Sequence, residues 1–223
     1  MLKMKKLVTV IFSSLLLLIA TAGMAQESTG SWNVGADLYN RYIWRGTDFG
    51  NSPVVQPTVE YSVGGFAIGA WGSYSLSANT GGTEADLYMS YAFDSGLSFT
   101  FTNYYFPVEP GSTGNYFDFS NKYHTYEIGA SQALGDFSLS GYYYLNQNND
   151  LYFEAGYSFK KVDLFVGAGN ESYTTDTNFN VVNIGISTSK EIPITEKFSL
   201  PVTGSVIVNP DKEQIFFVVG ISL

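Results

Sequence analysis

From Ser31 onward, apolar and polar residues alternate with a period of two, in segments separated by clusters of Gly, Asn, Asp, Ser or Pro. Successive side chains of a β-strand point to opposite faces, so this alternation predicts strands with one apolar and one polar face. Helical periodicity is not visible in this part of the chain. The sequence therefore predicts an all-β fold.

The alternation predicts twelve antiparallel strands, with ten or fourteen as the alternatives. The predicted strands cover 31–44, 54–63, 66–76, 85–93, 97–106, 123–132, 137–146, 151–159, 162–171, 179–189, 198–208 and 214–223. Short turns at 64–65, 94–96, 134–136 and 160–161 alternate with longer connections at 46–53, 77–84, 107–122 and 172–178. This asymmetry is typical of an up-and-down transmembrane β-barrel, with 147–150 and 190–197 fitting it less well.

The charged residues decide between a membrane barrel and a soluble β-sandwich, which share the same alternation. Charged residues make up only 14% of the chain, and the six lysines after residue 25 all fall in predicted turns or at strand ends. A soluble sheet normally carries Lys and Glu on its solvent face. We therefore expect Val34, Ile68, Leu87 and Ile184 to contact lipid, whereas a soluble periplasmic sandwich would bury them against a second sheet.

Aromatic residues on the apolar face cluster near the ends of the predicted strands, which is typical of the two aromatic girdles of a membrane barrel. Near the short turns they are Trp32, Phe66, Phe93, Phe137, Phe159 and Phe198, and near the long connections they are Tyr42, Trp44, Tyr74, Tyr105 and Tyr143.

The first 25 residues have the pattern of a secretory signal peptide. Lys3, Lys5 and Lys6 precede an apolar run, which ends in small residues before Gln26. We predict that 1–25 is a signal peptide and that 26–223 is one outer-membrane barrel domain. Removing the three leader lysines leaves eight basic residues against 20 acidic ones, a net charge of −12. Such a chain is not expected to bind nucleic acid.

The run from Ala36 to Ser73 carries several short motifs. They are Arg41-Tyr42 at a predicted strand end, Trp44-Arg45-Gly46 entering the first long loop, Ser52-Pro53 before the second strand, and GAWGS within the third. This run resembles the opening of the TorF family, whose members are classed as porins. The resemblance implies a bacterial outer-membrane barrel and adds little about the solute.

The polar face of the predicted strands supplies the candidates for a lumen, the space enclosed by the barrel. The lumen-lining candidates are Asp37, Arg41, Glu60, Asp86, Glu127, Glu154, Tyr39, Trp71, Tyr104 and Tyr144. Five acids against Arg41, with Arg45 placed near the rim, predict a cation-preferring interior. Alternatively, Arg41 pairs with Asp37 or Glu60 and forms a salt-bridged plug. Both interpretations stay open, as do an inward and a solvent-exposed position of loop 107–122.

The sequence offers little for covalent catalysis. It has no Cys, and the one histidine, His124, has Tyr126 rather than Ser two residues further on the same face. A catalytic triad needs a nucleophile within hydrogen-bond reach of its base. Acid clusters such as Glu171 with Asp176 lack the spacing of a calcium loop. We therefore predict neither an enzyme nor a bound cofactor or metal.

Together these patterns predict an outer-membrane porin that allows passive diffusion of small hydrophilic solutes and prefers cations. The alternative is a non-conducting barrel with a ligand-binding, adhesin or structural role in the envelope. The predicted partners are outer-membrane lipid and small hydrophilic solutes, and the sequence leaves the oligomeric state open.

Overall fold

A computed structural model describes residues 29–77, 83–107, 114–120 and 122–223. In this described part, no helix is long and apolar enough to span a membrane. The predicted signal peptide, 1–25, lies outside the described residues. The strands are β1 (Ser31–Tyr39), β2 (Ile43–Trp44), β3 (Thr47–Asp48), β4 (Val54–Val63), β5 (Phe66–Ser75), β6 (Glu84–Ala92), β7 (Leu97–Tyr105), β8 (His124–Leu134), β9 (Phe137–Tyr144), β10 (Leu151–Phe159), β11 (Val162–Glu171), β12 (Thr177–Thr195), β13 (Phe198–Asn209) and β14 (Gln214–Ser222).

Twelve of these strands form one closed antiparallel barrel, in which β1 lies between β4 and β14 and the other strands follow in chain order. The remaining two, β2 and β3, pair only with each other. The predicted fold class is thus confirmed. Because each strand pairs with the next along the chain, the sheet has the up-and-down order that short turns allow.

The barrel closes between the first and last strands. Ala36 and Leu223 exchange both backbone hydrogen bonds, at 3.2 and 3.0 Å. Directly after β1 ends, the side chain of Asn40 continues the pairing with β14. It donates to the Phe217 carbonyl and accepts from the Val219 amide. The amide side chain thus replaces a backbone partner at the point where β1 ends.

Side chains of one parity form an apolar outer surface. The four residues expected to contact lipid, Val34, Ile68, Leu87 and Ile184, are between 43% and 71% exposed. No second sheet packs on them in the described part of the chain. The predicted alternative of two packed sheets is therefore wrong.

Two predicted boundaries are wrong. The first predicted strand, 31–44, ends at Tyr39, because the chain then turns into the barrel. The predicted connection at 190–197 is mostly strand, since β12 continues to Thr195 and only two residues form the turn. Pro193 is tolerated there because β12 pairs with β11 only up to Thr188, so this stretch has one open edge.

Glycines on the inner wall lie opposite aromatic rings on neighbouring strands. The paired positions are Tyr39 and Gly220, Tyr88 and Gly69, Tyr142 and Gly129, and Phe165 and Gly185. A Cβ added at any of these glycines would collide with the ring of its partner. Each ring therefore lies flat against the wall over its glycine. A side chain at that position of the neighbouring strand would prevent this.

A cross-link tests the closure. Because Ala36 and Leu223 exchange both hydrogen bonds, the next pair, Asp37 and Ser222, is of the non-hydrogen-bonded type, in which Cα atoms lie about 4.5 Å apart. A disulfide spans this separation. We expect the double variant Asp37→Cys with Ser222→Cys to cross-link fully on oxidation, seen as a mobility shift of the boiled protein on non-reducing gels. Asp37→Cys with Thr203→Cys, which are separated by β14, is the control, and equal cross-linking of both pairs would contradict the register.

Candidate functional site

Residues 43–48 form a small hairpin, β2–β3, that folds into the barrel and is called the inward hairpin below. Its two-residue turn, Arg45-Gly46, has φ values of 49° and 76°. Positive φ at both central residues is the signature of a type I′ turn, which suits a two-residue hairpin. The left-handed conformation is unfavourable for Arg45, so other contacts must stabilise it.

Arg45 supplies those contacts through an ion pair with Glu127 of β8. Nη1 donates to one carboxylate oxygen at 2.6 Å and Nη2 to the other at 3.0 Å. Nη1 also donates to the Tyr173 hydroxyl at 2.6 Å, and Tyr104 donates to Glu127 at 2.8 Å. Both charged side chains are more than 90% buried. This buried pair, called the clamp below, fixes the hairpin tip to the wall.

Aromatic rings surround the Arg45 guanidinium. Its Cζ lies 4.2 Å from the ring centroid of Trp44, 4.0 Å from that of Tyr142 and 4.7 Å from that of Tyr152. At these distances the ring faces attract the cation. Burial lowers the pKa of Arg45, but the hydrogen bond with Glu127 and the electrostatic effects of Tyr173, Glu127 and Tyr104 together outweigh burial and raise it. Burial also raises the pKa of Tyr173 to about 12, against the opposing effect of Arg45. Arg45 therefore stays charged, with Tyr173 as a neutral neighbour, over the physiological pH range.

The inward hairpin also rests on the opposite part of the wall. Gly46 lies so close to β12 that an added Cβ would collide with the carbonyl oxygen of Val182. The register shifts at this point of β12, so that Val182 is an extra, fully buried residue. Asn209 of β13 donates to the Gly46 carbonyl at 3.0 Å, and Lys212 donates to Thr47 at 3.1 Å. The hairpin is thus bonded to two sides of the barrel.

A third group of contacts links the hairpin base to β6. Tyr42 is buried and donates to Glu84 at 3.1 Å, and its ring lies 5.5 Å from that of Trp71. Beside them, Asp86 is buried and its Oδ1 has no hydrogen-bond partner. Tyr42 and Trp44 thus lie inside the barrel, and their predicted place in a lipid-facing girdle is wrong. The chain turns inward after Asn40, so the parity of β1 no longer applies to them.

The lumen-lining candidates lie at different depths inside the barrel. Asp86, Glu127, Tyr104 and Tyr144 are buried around the inward hairpin, whereas Asp37, Glu60, Glu154, Tyr39 and Trp71 are partly exposed. Arg41 pairs with Asp48 at 3.1 Å and donates to Asn51, so neither predicted partner, Asp37 or Glu60, is the actual one. The buried ion pair inside the barrel is formed instead by Arg45, a residue expected near the rim.

Sequence reasoning also missed polar residues near the hairpin. The predicted connection 77–84 places Glu84 in a loop, whereas it begins β6, and Asn183, which donates to Glu154 at 3.0 Å, is not among the predicted lumen residues. The signal for the hairpin was present, because Arg45-Gly46 lies between two short β-prone pairs. Its inward direction depends on long-range contacts that the local pattern does not contain.

The two halves of the barrel interior differ. Near the long connections, the inward hairpin and a buried aromatic cluster fill the space. Near the short turns, small residues dominate the inner wall: Ser62, Ala67, Gly69, Ser90, Ser98, Thr100, Ser131, Ser138, Ser140, Gly156, Ser158, Ser187, Thr203 and Ser205. The half near the short turns, called the vestibule below, is therefore hydrophilic, and it narrows toward the clamp.

His124 lies on the outward face of β8, away from the lumen. It is buried beneath residues 114–120, with Nδ1 2.8 Å from Oδ1 of Asn103 and Nε2 2.9 Å from the Tyr116 carbonyl. The described part of loop 107–122 thus covers the outside of the wall and does not enter the lumen, while 108–113 and 121 lie outside the described residues. Within the described ranges, no group of three or more acidic or histidine side chains could hold a metal ion.

The clamp can be tested by its contribution to stability. Removing one member of a buried ion pair leaves an uncompensated charge, which costs about 3–5 kcal/mol. We expect Arg45→Met and Glu127→Gln each to lower the free energy of unfolding in urea by that amount, and the double variant to lose much less than their sum. Arg41→Met removes the more exposed pair with Asp48 and should cost about 1 kcal/mol or less. Additive effects of the two clamp substitutions would contradict the clamp.

No protein-family model matches the chain, and no curated protein matches it. Among solved structures, a mutant of the Rh. blastica porin is similar, with 10% sequence identity and a TM-score of 0.39, over 87% of this chain and 99% of that chain. The resemblance to the TorF family stays a prediction. The function is argued below from the geometry of the barrel interior.

Proposed function

We propose that the protein is an outer-membrane channel for passive diffusion of small hydrophilic solutes, restricted by the inward hairpin. The observation that carries this proposal is the division of the interior into a vestibule lined by small residues and a narrow part held by the clamp. A structural plug would not require a hydrophilic vestibule beneath it. The mechanism is diffusion along the inner wall and past the hairpin, without covalent chemistry.

The outer surface supports the membrane location. Exposed aliphatic and aromatic side chains cover the central wall, and Phe93, Phe137 and Phe159 lie exposed near the short turns. Lipid contact and export by a signal peptide at 1–25 belong to this proposal. By the rule for bacterial barrels, the short turns face the periplasm and the long connections face outward. The vestibule then opens toward the periplasm.

The charges of the interior support a preference for cations. Acids on inward-facing positions of the barrel strands include Asp37, Glu60, Glu84, Asp86, Glu127, Glu154 and Asp163. The positive charge of Arg45, at the tip of the hairpin, is neutralised by Glu127. A narrow passage with low-dielectric walls focuses the field of the less buried acids, among them Asp37, Glu60 and Glu154.

The buried clamp also favours a second candidate, a non-conducting barrel with a ligand-binding, adhesin or structural role. In that case the hairpin would be a permanent plug, and its outer surface or the long connections would carry the function. Conductance of the purified protein separates the two candidates.

Opening the clamp should raise conductance. We expect the double variant Arg45→Met with Glu127→Gln to show a severalfold larger single-channel conductance in planar bilayers than the wild type, because both bulky charged groups lose their mutual attachment. Arg41→Met with Asp48→Asn removes the other ion pair and is the matched control, with conductance expected near that of the wild type. Absence of conductance in all three proteins at any salt concentration would contradict the channel and favour the plug.

The cation preference should depend on acids of the vestibule. Glu60 accepts from Tyr88 at 2.8 Å and Asp163 accepts from Ser158 at 2.7 Å, so both carboxylates are held at the inner wall. We expect Glu60→Gln with Asp163→Asn to shift the reversal potential in a salt gradient toward zero, most clearly at about 0.1 M salt or below, where screening is weak. Glu196→Gln, in the exposed turn after β12, is the control. An unchanged reversal potential would place the selectivity elsewhere.

A further inference from the structure

The inward hairpin leaves a cavity of about 320 Å³ between itself and strands β9 to β13. This volume is at the lower end of the range of small-molecule sites, about 300–1,000 Å³. Aromatic rings line it, from Trp44, Tyr142, Tyr152 and Phe165. Its polar groups include Glu154 and Asn183.

Glu154 gives this cavity its charge. Its carboxylate accepts hydrogen bonds from the Tyr152 hydroxyl and from Nδ2 of Asn183. In the described part of the chain, no basic side chain lies within 4.0 Å of it. Arg45 also lines the cavity, but both of its terminal nitrogens are bonded to Glu127, which neutralises its charge. The cavity therefore has a net negative charge carried by one carboxylate.

Asn183 provides a second, independent observation. The bonds of its Nδ2 to Tyr152 and Glu154 fix the orientation of the amide, because the reverse orientation would place its oxygen against the carboxylate. Its Oδ1 is then a buried acceptor without a hydrogen-bond partner. Buried acceptors of this kind are rare and call for an explanation, such as a bound donor. A ligand with several N–H groups can donate to this wall and to Glu154.

The rings define the rest of the ligand. The same tyrosines that line the cavity already hold a guanidinium, since Arg45 lies against Tyr142 and Tyr152. Phe165 adds a further ring, which lies flat over Gly185. Aromatic faces together with one unpaired carboxylate attract organic cations and discriminate against anions.

We propose that this cavity is a binding site for small organic cations, primary amines or guanidines, held by Glu154 and the surrounding rings. The inference deepens the proposed channel function, because it names a class of solute. Transport of that solute rests on the channel function, whereas binding in the cavity does not. The cation would enter from the vestibule, with its charged group against Glu154 and its apolar part against Phe165.

Binding can be measured on the detergent-solubilised full-length protein by calorimetric titration with butylguanidinium. Butyrate and butanol are the charge-reversed and neutral probes. We expect the wild type to bind butylguanidinium and neither of the other two, and Glu154→Gln to weaken binding at least tenfold. Glu196→Gln is the control, because it removes one exposed carboxylate that lies outside the cavity, and its affinity should stay within about twofold of the wild type.

A second variant keeps the inference testable if Glu154→Gln fails to fold, as judged by heat-modifiable gel migration. Phe165→Leu removes one ring and keeps an apolar residue, and we expect it to weaken butylguanidinium binding by about threefold or more. Equal binding of butanol, or unchanged affinity in both cavity variants, would overturn the inference. Binding without conductance would contradict the channel and leave the site intact, whereas conductance without binding would contradict the site alone.

Discussion

Pairing of β1 with β14 is the constraint on which the rest of the structure depends. A strand edge in lipid would leave backbone N–H and C=O groups without partners, so only a closed sheet is stable there. Closure is achieved over a short stretch, from Asp37 to Tyr39, and the Asn40 side chain extends it. Twelve strands enclose more space than the side chains of the wall fill, because many of those side chains are Ser, Gly or Ala. The inward hairpin occupies one end of that space.

Arginine suits the clamp better than lysine would. Its planar guanidinium donates to both oxygens of Glu127 and presents its faces to Trp44 and Tyr142, whereas an ammonium group could not make all of these contacts together. The same contacts offset the unfavourable positive φ of Arg45. The strained turn and its long-range bonding to β8 therefore both depend on the side chain of Arg45. A chain with Gly-Gly at this turn would form the hairpin more easily but would not fix it.

Most strands could be predicted from the sequence, because an apolar outer face and a polar inner face impose a strict alternation that local residues reveal. The predicted strands 54–63, 151–159 and 162–171 agree with β4, β10 and β11. The hairpin could not be predicted in this way, since Tyr42 and Trp44 continue the apolar parity of β1 while lying inside the barrel. Their position depends on partners far along the chain, such as Glu84 and Tyr104. Local patterns encode which face a residue occupies, but they do not encode where the chain leaves the sheet.

The attachments of the hairpin determine how it can move in the proposed channel. Arg45 is bonded to β8, whereas Gly46 and Thr47 are held by Asn209 and Lys212, near the end of β13. These attachments lie on nearly opposite sides of a twelve-stranded ring. If the clamp opens, the contacts to Asn209 and Lys212 still hold the hairpin, so it would swing toward β12 and β13 rather than leave the barrel. In the proposed channel, such a movement would carry the hairpin toward Asn183 and Ile207, which line the cavity beside Glu154, and so link occupation of that cavity to the position of the hairpin.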